Sequence, residues 1–227
     1  MNLFHALPAL RCHPLLRGKT VALVGVSAIV HDDAAYYFEI GKPKYWKQRE
    51  DGTTIVGVGG IGGTIERGET ILACLRREVE EELGVRVQLE LPQQTYLIHE
   101  WQIADTLTLP PSKKRPTPLM VILTLPRLGG PSVPDHPLGR ASGRGLAIVT
   151  LRTRLRGVPA PRDLFGLLRV ETNALPGFFA RDEWPLTEVQ AYPGLTATLN
   201  GPPPAGAILC PILTARAFQL LVRAGCT

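Results

Sequence analysis

The chain has 227 residues, of which 44% are hydrophobic and 20% are charged, so its composition is that of a globular protein and excludes a disordered one. Its length favours one large domain, or one domain with an extension, over two complete domains. The formal net charge of +5 and the sequence pI of about 9.2 favour anionic partners such as nucleotides or nucleic acid.

The hydrophobic periodicity of the first half predicts three strands, a helix and a further strand. The first two strands are expected to form a hairpin, and the third runs into a glycine-rich stretch that precedes the helix. The predicted bounds are Val21–Val30, Ala34–Ile40 and Thr53–Gly60 for the three strands, Glu69–Leu83 for the helix and Val85–Leu91 for the strand after it.

The second half is predicted to contain more strands, two long surface loops and two helices. Candidate strands cover residues 94–101, 119–125 and 145–155, and the loops, rich in proline, glycine and basic residues, cover 109–118 and 126–145. A short helix is expected over Asp163–Val170 and an amphipathic helix over Ile212–Ala224. The sequence leaves open whether these C-terminal helices pack on the core or form an appendage.

The cysteines and the apolar runs bear on where the protein works. The four cysteines are widely spaced and form no CxxC pair, which argues against a zinc knuckle or a dense disulfide framework and favours a reducing compartment. The run Val21–Val30 is only long enough for a strand. We therefore expect a cytoplasmic protein without a membrane span.

Three glutamates on the predicted helix form a candidate metal site. Glu78, Glu81 and Glu82 stand at i, i+3 and i+4, so they project from one helix face. The three carboxylates repel one another, and either solvent or a bound cation can relieve this repulsion. In the first case the glutamates are an ordinary solvated helix face, and in the second they are a metal site. Carboxylate oxygens suit Mg²⁺ or Mn²⁺, and Mg²⁺ commonly binds a substrate phosphate as well. A glycine-rich turn before a helix N-terminus is suited to phosphate oxygens, so a diphosphate is the expected ligand.

These acids belong to a longer motif with fixed spacing. A glycine is followed after five residues by Glu, after seven more by Arg-Glu, an aliphatic residue, any residue, Glu-Glu, any residue, Gly and an aliphatic residue. The motif resembles the signature of the Nudix hydrolase family without departure. Its places are filled by Gly63, Glu69, Arg77, Glu78, Val79, Glu81, Glu82, Gly84 and Val85.

The resemblance implies a fold, an activity and a role for each residue of the motif. The fold implied is an α/β/α sandwich around a mixed β-sheet, and the activity is hydrolysis of the diphosphate linkage in a nucleoside diphosphate joined to another group. One of the metal-binding acids, or a carboxylate from a later loop, would be the general base. The implied roles are metal binding and catalysis for Glu78, Glu81 and Glu82, a structural pair for Glu69 and Arg77, and a loop beneath the phosphates for Gly62 and Gly63.

We expect residues 1–227 to form a single domain of this family, with a core over about residues 19–158 and a C-terminal extension that contains the terminal helix. Several alternatives stay open at this stage: a nucleotide sensor without catalysis, a hydrolase of RNA 5′ ends or caps, and a homodimer. Trp101 either stacks on a base or belongs to the core. The basic loop Ser112–Pro116 is a candidate RNA contact, together with Arg140, Arg144, Arg152, Arg154 and Arg156. Candidate cations near the substrate are Lys42, Lys44, Arg49, Arg152 and Arg154.

Overall fold

A mixed β-sheet of 14 strands runs through the molecule in the computed structural model, which describes residues 1–110, 115–126 and 144–226. In chain order the strands are β1 (Val21–His31), β2 (Ala35–Ile40), β3 (Lys47–Gln48), β4 (Thr54–Gly59), β5 (Ile61–Thr64), β6 (Arg86–Leu89), β7 (Thr95–His99), β8 (Gln102–Leu107), β9 (Met120–Thr124), β10 (Gly145–Arg156), β11 (Gly166–Glu171), β12 (Trp184–Pro185), β13 (Leu195–Leu199) and β14 (Ala207–Pro211). The helices are α1 (Leu3–Ala6), α2 (Ile71–Leu83), α3 (Leu175–Phe179), α4 (Leu186–Ala191) and α5 (Leu213–Arg223).

The sheet combines parallel and antiparallel pairs. Its main path runs in the order β12-β14-β4-β2-β1-β10-β9-β7-β8, with the other strands paired beside it. The long strands β1 and β10 are parallel, from Val21 opposite Gly145 to His31 opposite Arg154. Strand β5 pairs antiparallel with the middle of β1 along its whole length. This pairing brings the glycine-rich stretch into the centre of the sheet.

Helices cover both faces of the sheet over two separate cores. Alternate residues of β1 divide between them: Val26, Ala28 and Val30 face the core that contains α1 and α2, whereas Ile29 faces the core that contains α3, α4 and α5. The second core is rich in aromatic side chains, with Phe38 at its centre. The predicted α/β/α arrangement around a mixed sheet is confirmed.

The C-terminal part of the chain joins this sheet. Strand β11 pairs with β2 along its whole length, and β14 runs parallel to β4. The terminal helix α5, which buries Phe218 and Leu221, begins and ends within one residue of its predicted bounds. None of the helices in the described part of the chain has the length and apolar character that a membrane crossing requires.

Two sequence predictions are corrected. The helix predicted over Asp163–Val170 is wrong: from Gly166 these residues form β11, because their backbone pairs with β2 on one edge and with β13 on the other. The single candidate strand over 94–101 is the start of a hairpin of β7 and β8, which turns at Glu100 and Trp101 with positive φ angles. Residues 111–114 of the first predicted loop and residues 127–143 of the second lie outside the described residues.

Candidate active site

Helix α2 is fixed at both ends and along one face. The hydroxyl oxygen of Thr70 accepts a hydrogen bond of 3.1 Å from the N–H of Ala73, which caps the first turn. Gly84 ends the helix with a φ of 67°, a conformation that glycine adopts without steric penalty. Leu75 and Val79 are buried in the core beneath the helix. The rotation of α2 about its axis is therefore fixed, and with it the direction of the acidic face.

Two of the three predicted metal-binding acids lie against β5. The N–H of Gly62 donates a hydrogen bond of 3.0 Å to Oε2 of Glu82, whose residue is only 8% exposed. Gly63 lies against Glu78, and a methyl group on Gly63 would overlap the Glu78 carboxylate. The missing side chain of Gly63 thus provides the space that Glu78 occupies. Glu81 differs from both, because its side chain is 52% exposed.

Arg77 connects the acids to the segment before the helix. Its Nε and Nη2 donate to the two carboxylate oxygens of Glu69 at 2.9 and 3.2 Å. Its Nη1 donates to Glu78 at 2.8 Å and to Glu81 at 3.2 Å, and Nη2 also reaches the carbonyl oxygen of Thr64 at 3.2 Å. The hydrogen bonds from Arg77 lower the pKa of Glu69 to about 2. The predicted contact between Glu69 and Arg77 is present.

Strand β2 supplies a fourth carboxylate, Glu39, which the sequence analysis missed. Glu39 is opposite Gly59 in the pairing of β2 with β4, and a methyl group on Gly59 would overlap the Glu39 carboxylate. Its charge acts on Glu82 and Glu78 of the helix. One signal was available in the sequence: Glu39 is the single charged residue within the otherwise apolar strand AYYFEI.

The crowding of these carboxylates changes their protonation. Burial raises the pKa of Glu82, repulsion from Glu39 and Glu78 raises it further, and the hydrogen bond from Gly62 opposes the rise. Burial also raises the pKa of Glu39 and of Glu78, although Arg77 opposes the rise at Glu78. A cation beside these groups would replace their protons and relieve the repulsion.

Among the five predicted cations, Lys42 attracts the acids through its charge. Its Nζ forms an ion pair of 2.8 Å with Asp163, and it also attracts Glu82 and Glu39. The other four are engaged elsewhere. Arg49 pairs with Glu183, Arg152 with Glu90, Arg154 with Asp33, and Lys44 lies over the ring of Tyr45.

A comparison with protein-family models relates part of the chain to a known domain. Residues 26–136 match the model described as the NUDIX domain, and this range includes β1 from residue 26 onward, β2 to β9 and the whole of α2. The chain therefore contains a NUDIX domain. The motif from Gly63 to Val85 is accordingly its Nudix box.

Several solved structures of the Nudix family resemble this chain at low sequence identity. A hydrolase of the NUDIX family from Clostridium perfringens is 15% identical, with 67% of this chain and 83% of that chain covered and a TM-score of 0.38. A possible asymmetric diadenosine tetraphosphate hydrolase from Jonesia denitrificans is 15% identical, with 69% and 81% covered and a TM-score of 0.36. An ADP-ribose pyrophosphatase from Streptococcus suis is 12% identical, with 89% and 91% covered and a TM-score of 0.34. A comparison with curated proteins gives no match.

The glycines of the Nudix box do not lie where the sequence analysis expected them. Gly62 and Gly63 are part of β5 and lie beside the second half of α2, whereas Thr70 caps its first turn. The reason is that residues 65–70 connect β5 to α2, and after this connection the helix runs back alongside the strand. The N–H of Gly62 donates to the side chain of Glu82, which lies near the C-terminal end of the helix and not near its N-terminus.

The donor chemistry of the Nudix box fits a hard divalent cation, but the acids are not gathered around one point. Carboxylate oxygens from Glu78, Glu81 and Glu82 are the ligand type that Mg²⁺ and Mn²⁺ prefer. Within residues 1–110, 115–126 and 144–226, no group of three His, Cys, Asp or Glu side chains is arranged to hold a metal ion. Arg77 holds Glu78 and Glu81 through hydrogen bonds, so these two side chains would have to turn away from it to share an ion with Glu82.

The remaining predicted residues lie away from the Nudix box or outside the described chain. Trp101 is 37% exposed at the hairpin turn, so it is not a core residue. Arg156 interacts with Gln88 on the neighbouring strand. Arg144 is exposed. Most of the basic loop, Ser112–Lys114, and Arg140 lie outside the described residues.

Proposed function

We propose that the protein is a cytoplasmic, Mg²⁺- or Mn²⁺-dependent pyrophosphohydrolase that cleaves the diphosphate linkage of a nucleoside diphosphate joined to another group. The observation that carries the proposal is the unbroken Nudix box. Glu78 and the buried Glu82 face the glycines of β5, and Arg77 links Glu78 to Glu69.

The reaction adds water across the bridge between the two phosphorus atoms. The water oxygen bonds to one phosphorus, the bond from this phosphorus to the bridging oxygen breaks, and the second phosphate leaves with that oxygen. When bound, the divalent cation would neutralise the diphosphate and lower the pKa of the attacking water. Glu78, Glu81 and Glu82 would hold the cation.

The chain's own groups would bind and orient the substrate. Lys42 supplies a positive charge next to the acids, where a diphosphate would otherwise be repelled. Gly62 holds Glu82 through its N–H, and Arg77 sets the starting positions of Glu78 and Glu81. A carboxylate of this group, or one from a later loop, would accept the proton of the water.

The proposal covers the whole chain as one domain. The hydrogen bonding of β11 to β2 and of β14 to β4 supports a single unit over residues 1–227, because it places the C-terminal extension in the same sheet as the Nudix box. The contacts of Arg152 and Arg154 with acidic partners give little support to RNA binding on β10.

The test is a panel of substrates with a matched pair of variants. Nucleoside triphosphates, dinucleoside polyphosphates, nucleotide sugars and capped RNA are incubated with Mg²⁺ or Mn²⁺, and the products are separated by chromatography. We expect hydrolysis by the wild type and by Glu80→Gln, an exposed acid of the same helix, and its loss in Glu82→Gln. Nucleotide binding without turnover by the wild type would contradict the proposal and identify a nucleotide sensor.

A further inference from the structure

The segment after β10 caps the end of the Nudix helix that carries the acids. The last carbonyl groups of an α-helix have no partner within the helix. Here the N–H groups of residues 160, 162 and 163 donate to the carbonyl oxygens of Leu83, Glu82 and Glu81, at 3.1, 2.8 and 3.2 Å. The side chain of Arg162 also lies over Gly84, in the space that a side chain there would fill. The position of this segment is therefore tied to that of the acidic face.

Asp163 extends this connection to Lys42. Its backbone N–H contacts the helix at Glu81, and its carboxylate contacts the ammonium group of Lys42 at 2.8 Å. Lys42 follows β2, so one residue links the end of α2 to the strand that carries Glu39.

Lys42 has two alternative sites for its charge. One is the exposed carboxylate of Asp163, and the other is the pair of Glu82 and Glu39, to which it is also attracted. An ammonium group that moved onto Glu82 would compete with a divalent cation for that carboxylate. An ammonium group held by Asp163 leaves Glu82 available.

We propose that Asp163 is a positioning residue, which holds the Lys42 ammonium beside the acids for contact with the substrate diphosphate and keeps it off Glu82. This inference rests on the proposed function. It assigns to the segment after β10 a part in substrate binding that lies outside the Nudix box.

The test compares Asp163→Asn with Asp33→Asn in steady-state kinetics. Asp33 is an exposed acid that pairs with Arg154, so its variant controls for the loss of one surface ion pair. Exposed ion pairs are weak, and we expect Asp163→Asn to raise KM about two- to fivefold while kcat stays unchanged. Asp33→Asn should keep the wild-type KM. Asp163→Glu, which retains the carboxylate, should restore most of the lost affinity.

A double-mutant cycle separates positioning from a general effect on the fold. In the Lys42→Met background the substitution Asp163→Asn should change KM no further, because Asp163 acts through Lys42. Equal KM values for Asp163→Asn and wild type, or effects that multiply in the double variant, would overturn the inference and leave the proposed function intact. A wild-type protein that hydrolyses no member of the panel would overturn both.

Discussion

Replacing Glu82 by glutamine should make the metal-free protein more stable at alkaline pH. Burial and repulsion from Glu39 raise the pKa of Glu82 to about 9, from a model-peptide value of 4.5. Between these values the native state holds a proton on Glu82 that the unfolded chain has released. Because the native state then binds more protons than the unfolded state, a rise in pH lowers the free energy of unfolding.

One proton sets the size of this effect. A difference of one bound proton changes the free energy of unfolding by about 1.4 kcal/mol per pH unit, so three pH units account for at most about 4 kcal/mol. Glu82→Gln removes the titrating group and keeps an oxygen that can accept the hydrogen bond from Gly62. We therefore expect a flatter pH dependence, with similar stability of the two proteins near pH 5 and a more stable variant near pH 8.

Urea unfolding in the presence of EDTA measures this difference at a series of pH values. Glu80→Gln is the control, because Glu80 is an exposed acid on the same helix. Histidines and the other carboxyl groups titrate in both proteins, so the difference between the two slopes isolates Glu82 and the groups coupled to it. Parallel curves for wild type and Glu82→Gln would refute the reasoning.

Three further substitutions test the surroundings of the Nudix box and the second core. Gly62→Ala should lower the free energy of unfolding in urea by about 3 kcal/mol more than Gly52→Ala does. Both glycines have a positive φ, but only Gly62 lies against the backbone of β1, where a methyl group would overlap it. Equal losses of stability in the two variants would contradict this reasoning. Arg77→Lys should lower the turnover rate about tenfold or more, because lysine cannot form the bidentate pair with Glu69. Arg76→Lys, at an exposed position of the same helix, should leave the turnover rate unchanged. Phe218→Ala should lower the free energy of unfolding in urea by about 3–5 kcal/mol, because Phe218 is buried in the second core. A loss below about 1 kcal/mol would show that neighbouring side chains move into the cavity and would contradict this prediction.

The Nudix helix and its acids could be predicted from sequence because their determinants are local. The spacing of Glu78, Glu81 and Glu82 defines one helix face, and Gly84 marks the end of the helix within the same short stretch. The terminal helix was predicted for the same reason, since its apolar residues repeat with the period of a helix.

The errors arose where the deciding contact is distant in sequence. The apolar residues of β11 have the length of a short helix, and only the pairing with β2 and β13 makes them a strand. Glu39 and Gly59 are opposite each other through a strand pairing, so the fourth carboxylate could not be placed beside the Nudix box from the motif alone. The link from Asp163 to Lys42 also joins residues that are far apart in the chain.

The long parallel pair of β1 and β10 has a consequence for any shortened form of the protein. The match to the NUDIX family ends at residue 136, before β10 begins at Gly145. A protein truncated at residue 136 would expose the edge of β1 along ten paired positions, together with the apolar faces that β10 covers. Unpaired strand edges of this kind associate with one another. We expect that such a fragment aggregates, although it contains every residue of the Nudix box.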